Sequence, residues 1–444
     1  MSRPVVGAPR VWQFPEPERR TLDNGLRLLA FHRPGQHLLN ATLVVDQPLV
    51  SEPRALEGVS SMILRVLDEG TRSHPGTDFA DAVEGCGAVL HGGTSQSAAH
   101  LSIEVPVTRL DAALPLLAEV VREPQLSDDD VRRQVELRLA EIAQHRAHPA
   151  HRGGQEFRAA VIDGAFRASR SAAGEADTVA AISGEAVRTA HADQYRPDAS
   201  TLVLAGDLPA DLLGRVDRAF AGWRSTGSGA VQHESPLAAP PRCLLVHRSG
   251  AVQADVRLGS FGVDRSHPDW PALRLGTFVL GGGFLSRLNR VLREERGYTY
   301  GVQLTNVPAR HGGLLSLHAS FRTEVAAAAI SEATDLLVTD GDRGITRPEL
   351  TDAVNYLVGV APLRCATAAG IVDQASALVE VGLDQSFVNR HTAELLRISP
   401  DQATDAVQRL LPLGALTLVV VGDADVLAEP LRAQGFDPQV VVDD

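Results

Sequence analysis

Apolar positions along the 444-residue chain switch repeatedly between a period near 2 and a period of 3 to 4, the marks of half-buried strands and one-faced helices. Residues 21–28 (TLDNGLRL) predict a hairpin, because Asn24-Gly25 supplies the positive φ angles of a tight turn. A second strand pattern covers 41–45. Residues 56–67 read as a helix that ends at Gly70-Thr71, and 79–85 as another. Residues 100–107 alternate like a strand, and 110–122 are amphipathic. Ser127 followed by Asp128, Asp129 and Asp130 is a strong helix start, a capping hydroxyl with three acids in the first turn. Val131, Val135, Leu139 and Ile142 mark one face of the long helix it opens. A short helix from Ser183 and a strand over 201–205, ending at Gly206-Asp207, close the first half.

The second half repeats that ending. TLVLAGD at 201–207 matches TLVVVGD at 417–423, a shift of 216 residues, and Ile182-Ser183 matches Ile398-Ser399 at the same shift. Two matches at one spacing indicate duplication. Between the copies, 225–241 (STGSGAVQHESPLAAPP) has linker composition. The expected architecture is α+β: two tandem homologous domains, 1–224 and 242–444, each an antiparallel-rich sheet covered by helices.

The most unusual pattern is 278–302, FVLGGGFLSRLNRVLREERGYTYGV. Gly281, Gly282 and Gly283 end an apolar run. Leu285, Leu288 and Leu292 then recur at helical spacing, with Arg287, Arg290 and Arg293 as a parallel stripe. Gly297 stops the helix, and 298–302 has strand composition. One reading is a glycine-capped helix with a solvated basic stripe. The other is that the turn at Gly297 carries Arg293 and Tyr300 into one site, where a cation and a phenol donate to the same oxygen. Such donors stabilise the oxyanion formed when a carbonyl is attacked, yet neither residue is a nucleophile or a proton-ready base.

Composition narrows the classes. The net charge of −13 argues against a nucleic-acid partner and suits cationic peptides. The longest apolar runs, such as 416–421, are too short to span a bilayer, and the first twenty residues hold no continuous apolar core of a secretory signal. Three scattered cysteines, Cys86, Cys243 and Cys365, suit a reducing cytoplasm. Glu141, His145 and His148 fall at i, i+4 and i+7, with His151 beyond. They are either a metal site or the exposed end of a helix broken at His148-Pro149. His91 and His100 read as structural or surface residues. The glycine run lacks the G-x-x-x-x-G-K-[ST] pattern of a phosphate loop.

Across nearly its whole length the chain resembles the pitrilysin/insulinase family of inverted zinc peptidases. The resemblance is carried by Thr21-Leu22-Asn24-Gly25, Gly70-Thr71, Glu123-Pro124 and the duplicated Gly-Asp strand. Most specific are Gly281 to Gly283, Ser286-Arg287-Leu288, Leu292-Arg293-Glu294, Gly297 and Tyr300, the family's arginine lying seven residues before its tyrosine. Active members carry H-x-x-E-H on the helix before Gly-Thr. Here Ser61 stands at the first histidine, Leu64 at the glutamate base and Arg65 at the second histidine. Glu141 matches the distal glutamate ligand, and Gln134 an earlier glutamate. A serine is a poor zinc ligand, leucine takes no proton, and a guanidinium repels the cation, so no metal is expected on this chain. The resemblance implies half of a metallopeptidase clamshell whose homologous partner, with an intact motif, brings zinc and base in a heterodimer. Arg293 and Tyr300 would bind the scissile carbonyl of a short or unfolded peptide, such as a leader segment, and Gly281, Gly282 and Gly283 would contact it. The other implied fate is a structural or peptide-binding subunit with no catalytic residue in use.

Overall fold

The computed structural model describes residue 7 and residues 12–225 and 229–442. Positions 226–228 of the expected linker, and 1–6, 8–11 and 443–444 of the flanking segments, lie outside the described residues.

The first half contains β1 (Glu18–Thr21), β2 (Arg27–His32), β3 (Leu38–Val45), α1 (Val59–Leu67), α2 (Thr77–Gly85), β4 (Val89–Thr94) and β5 (Ala99–Pro106). It continues with α3 (Leu110–Arg122), α4 (Asp128–Ala147), α5 (Pro149–Val161), α6 (Ala176–Ala180), α7 (Gly184–Gln194), β6 (Ser200–Gly206) and α8 (Leu212–Phe220). The second half contains β7 (Cys243–His247), β8 (Gln253–Gly262), α9 (Trp270–Thr277), β9 (Val302–Pro308), β10 (Gly313–Arg322), α10 (Ala326–Leu337) and α11 (Arg347–Arg364). Then come α12 (Ala368–Glu380), α13 (Ser386–Leu395), α14 (Pro400–Leu410), β11 (Thr417–Gly422), α15 (Ala424–Ala433) and β12 (Gln439–Val441). The shift of 216 carries the start of α3 to that of α10 (110 to 326) and the start of α7 to that of α14 (184 to 400). Ser183 and Ser399 cap α7 and α14 in the same way, each side chain accepting a backbone N–H of the first turn.

Each half forms one six-stranded sheet, in the orders β1-β2-β6-β3-β5-β4 and β12-β7-β11-β8-β10-β9. Both are mixed: β2 runs parallel to β6, β7 parallel to β11 and to β12, and the remaining neighbours are antiparallel. The fold is α+β with two homologous domains. Helices α1, α3 and α4 pack the main core on one face of the first sheet, and α9, α10, α11 and α14 do so on the second.

The opposite faces are covered reciprocally. From the second half, α12 lays Ala368, Ile371, Val372 and Ala375 against Leu29, Phe31, Val203 and Ala205. From the first half, α5 places Phe157, Ala160 and Val161 against Leu244 and Val419. This explains why the duplicated strand is a continuous apolar run: β6 and β11 are buried at every position, covered on both faces. By contrast β5, with one covered face, alternates strictly.

The connecting stretch is held more tightly than its composition suggests. Asp163 N donates to Leu237 O (2.9 Å), Ala239 N to Val161 O (3.0 Å), and the Glu234 carboxylate accepts from the backbone N–H groups of Arg167 and Ala168. Among the described residues no single helix is long and apolar enough to cross a membrane. The apolar stretch through α11 and α12 bends by 113°, and α12 is buried against the first sheet.

Residues 278–302 depart from simple helical spacing. Two π-helical segments, Phe278–Gly282 and Asn289–Glu295, flank a turn at 283–286. Leu285 sits in that turn and is 72% exposed, whereas Leu288 and Leu292 are fully buried. The expected buried triad is therefore a pair, because the helix has not begun at Leu285. The strand expected over 298–302 starts only at Val302.

Candidate functional site

The degenerate metal position is built as the residue types demand. On α1, Ser61 and Arg65 lie one helical turn apart, and α4 brings Glu141 opposite them. Arg65 Nη2 donates to Glu141 Oε1 at 2.5 Å and Arg138 Nη1 to Glu141 Oε2 at 3.2 Å, while Gln134 Nε2 donates to Glu69 Oε1 at 2.6 Å. Burial acts to raise the Glu141 pKa, but the hydrogen bonds from Arg65 and Arg138 outweigh it and hold the carboxyl below its ordinary range. A carboxylate held between two guanidiniums does not fit a divalent cation.

The other histidine reading divides. His148 leaves the helix as its C-cap (φ −97°, ψ 115°), and His145 and His148 gather around His151, with ring centroids 4.4 and 5.1 Å away. Glu141 does not join them, being held by Arg65 and Arg138. His100 Nε2 bonds Glu380 Oε2 at 3.0 Å, a structural link between the halves. Among the described residues one other set has close ligand atoms, His247, Asp423 and Asp425. There His247 Nδ1 accepts from Ala424 N (3.1 Å), and Asp423 accepts from Gly250 N (2.7 Å) and Asp425 N (3.1 Å). In the first half His32 Nδ1 accepts from Leu208 N and Asp207 from Gly35 N. The set is thus a duplicated strand-end cap.

Arg293 and Tyr300 line one open cavity of about 550 Å³ in the second half, with Gly282, Gly283 and Phe284. The turn that places them has a specific cause. Arg296 N bonds Val291 O at 2.9 Å in the widened helix, and Tyr298 N reaches back to Leu292 O at 2.9 Å. Gly297, at φ +62°, makes the reversal that a side chain resists. Asn289 then ties the segment to β9: Oδ1 accepts from Val302 N (2.8 Å), and Nδ2 donates to Val302 O (2.9 Å) and Gly283 O (3.1 Å).

Tyr300 is 97% exposed. Arg293 is engaged, its guanidinium 3.8 Å above the Phe284 ring and donating to Phe284 O (3.1 Å) and Glu294 Oε1 (2.9 Å). The three glycines separate by role. Gly282 and Gly283 face the cavity, but Gly281 does not line it: a Cβ there would fall 2.6 Å from Leu304 Cβ. Nor do the arginines form one solvated stripe. Arg287 clamps the turn to α11, bidentate to Glu349 (2.7 and 2.7 Å) and donating to Arg343 O and Gly344 O.

One cavity-lining group escaped the sequence reading. His318 Nε2 bonds the buried carboxylate of Asp255 at 2.9 Å, and Ser320 Oγ donates to the same oxygen at 3.3 Å. The signal is the alternation in β10, where Leu315, Leu317, Ala319 and Phe321 face the core and Ser316, His318 and Ser320 face away.

Two family models match the chain: "Insulinase (Peptidase family M16)" over residues 27–165 and "Peptidase M16 inactive domain" over residues 181–357. A Mycobacterium tuberculosis protein named as an uncharacterized zinc protease is 26% identical, covering 94% of this chain and 96% of its own. A Helicobacter pylori non-peptidase homolog is 22% identical, covering 82% and 84%. A solved Pseudomonas fluorescens structure, described as a peptidase M16 inactive domain, superposes with a TM-score of 0.84 at 24% identity, over 92% of this chain and 98% of that one.

Proposed function

This chain belongs to the insulinase (M16) peptidase family, and on that premise we propose that it is the non-zinc-binding subunit of a heterodimeric metallopeptidase. The observation that carries the reading is the contrast between its two halves. In the first, a guanidinium closes the metal position by pairing with Glu141 at 2.5 Å. In the second, Arg293 and Tyr300 line an open cavity. A site that cannot activate water but keeps oxyanion donors is useful when a homologous subunit supplies metal and base.

In this reading the chain's own residues bind and polarise. The Tyr300 hydroxyl and the Arg293 guanidinium donate to the scissile carbonyl oxygen and bind it more tightly as it becomes an oxyanion. Gly282 and Gly283 let a peptide backbone approach the wall. The substrate is a short or unfolded peptide, and the three free cysteines support a cytoplasmic setting. The test is reconstitution with a homologue bearing an intact H-x-x-E-H. Peptide cleavage and stable association are expected only when both chains are present; full activity of the homologue alone, or no association, overturns the proposal.

One observation favours a second reading, a purely structural or peptide-binding subunit: Arg293 is already occupied by Phe284 and Glu294. In that case association persists while loss of Arg293 or Tyr300 leaves cleavage unchanged.

A further inference from the structure

We propose that a second cavity, lined by Arg265, Arg274 and Arg364, is a binding site for a small organic oxyanion bearing a phosphate or several carboxylates. The cavity measures about 390 Å³ and lies beside the one holding Tyr300, sharing Gly282 and Gln303 as wall residues. At the 216-residue shift, its lining residues Thr277 and Leu357 stand where Ser61 and Glu141 stand in the first half. It is the duplicated counterpart of the degenerate metal position. The two copies have diverged in charge: in the first half Arg65 and Arg138 flank Glu141, whereas the same shift puts Gly281, Val354 and Leu357 there, and the arginines of the second cavity come from other positions.

Among the described residues, no hydrogen bond or ion pair joins any of these three side chains to a carboxylate. The side-chain contact made by Arg274 is with a neutral acceptor, its Nη1 lying 3.1 Å from His391 Nε2. Burial, together with the charges of Arg364 and Arg265, pushes the Arg274 pKa down to about 10, and burial with the same kind of repulsion brings His391 to about 3. Glu380 offsets Arg265 through space, but its carboxylate accepts from His100. Trp270, whose buried indole N–H lacks a partner, also lines the cavity.

Arg265 and Arg274 are half-buried and Arg364 stands at the exposed rim. Cations drawn out of water are normally paired, so leaving them without an acid is costly unless a ligand supplies the countercharge. Guanidinium forks match phosphate and carboxylate geometry. The stacked rings of Phe278 and Tyr356 (centroids 5.0 Å apart, 25° between planes) provide an apolar wall, which suits an organic anion over a bare halide.

The probes are citrate and inorganic phosphate, added to the full chain at ionic strength matched with sodium chloride, and read by calorimetry and by the shift in Tm. Saturable binding of either is expected, with a rising Tm. Phosphate alone would identify a single-oxyanion site, and tighter citrate a polycarboxylate site. Arg364→Gln, at an exposed position, should weaken binding by at least about tenfold. Arg274→Met should abolish it, and Arg397→Gln, exposed and outside the cavity, should leave it unchanged. No saturable binding of either anion, or wild-type binding by Arg364→Gln, overturns the proposal. So does equal weakening in the Arg397→Gln control.

Discussion

Rebuilding the lost motif tests whether α1 and α4 still hold a metal-site backbone. The variant is Ser61→His, Leu64→Glu and Arg65→His. Because 61 and 65 are one turn apart and the Arg65 head lies 2.5 Å from Glu141, two imidazoles and that carboxylate would converge as a three-ligand set. The obstacle is Arg138, 3.2 Å from Glu141 and buried. At an effective dielectric near 20, a unit charge about 6 Å from a dication repels it by roughly 5 kcal/mol. Discounting that for relaxation still leaves a few kcal/mol, at least about a hundredfold in Kd. The triple variant should therefore bind zinc weakly, and adding Arg138→Gln should tighten binding by at least about a hundredfold. Equilibrium dialysis against a competing chelator, with the metal quantified per chain, reads both. The wild type should hold no zinc at this position. If both variants are folded and zinc-free, or if bound zinc survives Glu141→Gln, the geometry argued for α1 and α4 is wrong.

In reconstituted dimers, Tyr300→Phe and Arg293→Lys should lower kcat by about 10² to 10³ with little change in KM, while Tyr298→Phe is unaffected; steady-state peptide cleavage measures this, and full kcat in both variants refutes the oxyanion role. The Arg287–Glu349 clamp should weaken in acid. Burial raises the Glu349 pKa, but hydrogen bonds from Arg287 and Thr346 bring it down to about 2, so its stabilisation is full above the ordinary value near 4.5 and is lost as pH falls toward 2. That is about 3 kcal/mol at most, and about 1–2 once partial exposure is allowed for. Denaturation midpoints of wild type and Glu349→Gln should converge over that window, and a gap independent of pH would count against the clamp. Asn289→Ala should cost about 2–3 kcal/mol by stranding Val302 N–H and the carbonyls it serves, read as faster hydrogen exchange at 297–303; unchanged exchange would show that the turn is held by other contacts.

What could be read from residues alone follows how local the determining physics is. The Ser127 cap and the alternation of β5 depend on neighbours within a few positions and appear where their patterns put them. The hairpin also forms at Asn24-Gly25, but Gly25 alone takes a positive φ (+91°), Asn24 instead accepting from Leu26 N through its side chain. The duplication was legible because β6 and β11 keep the same apolar string, and the reason for the string lay elsewhere: a helix from the opposite half covers each strand. No local pattern announces that reciprocity. Near Arg293 the spacing rule misled at Leu285 because the helix starts late and is widened, so a period of 3.6 no longer predicts facing. Arg287 looked solvated because its partner, Glu349, is 62 residues away. Three arginines at 265, 274 and 364 show no spacing at all, and only the fold places them on one cavity. The chemistry of the first-half site was foreseeable from Arg65, since a fixed cation on that helix face needs an anion and Glu141 is the acid that α4 offers. The charge gathered in its duplicated counterpart was not, because Arg265, Arg274 and Arg364 stand at positions that hold no arginine in the first copy.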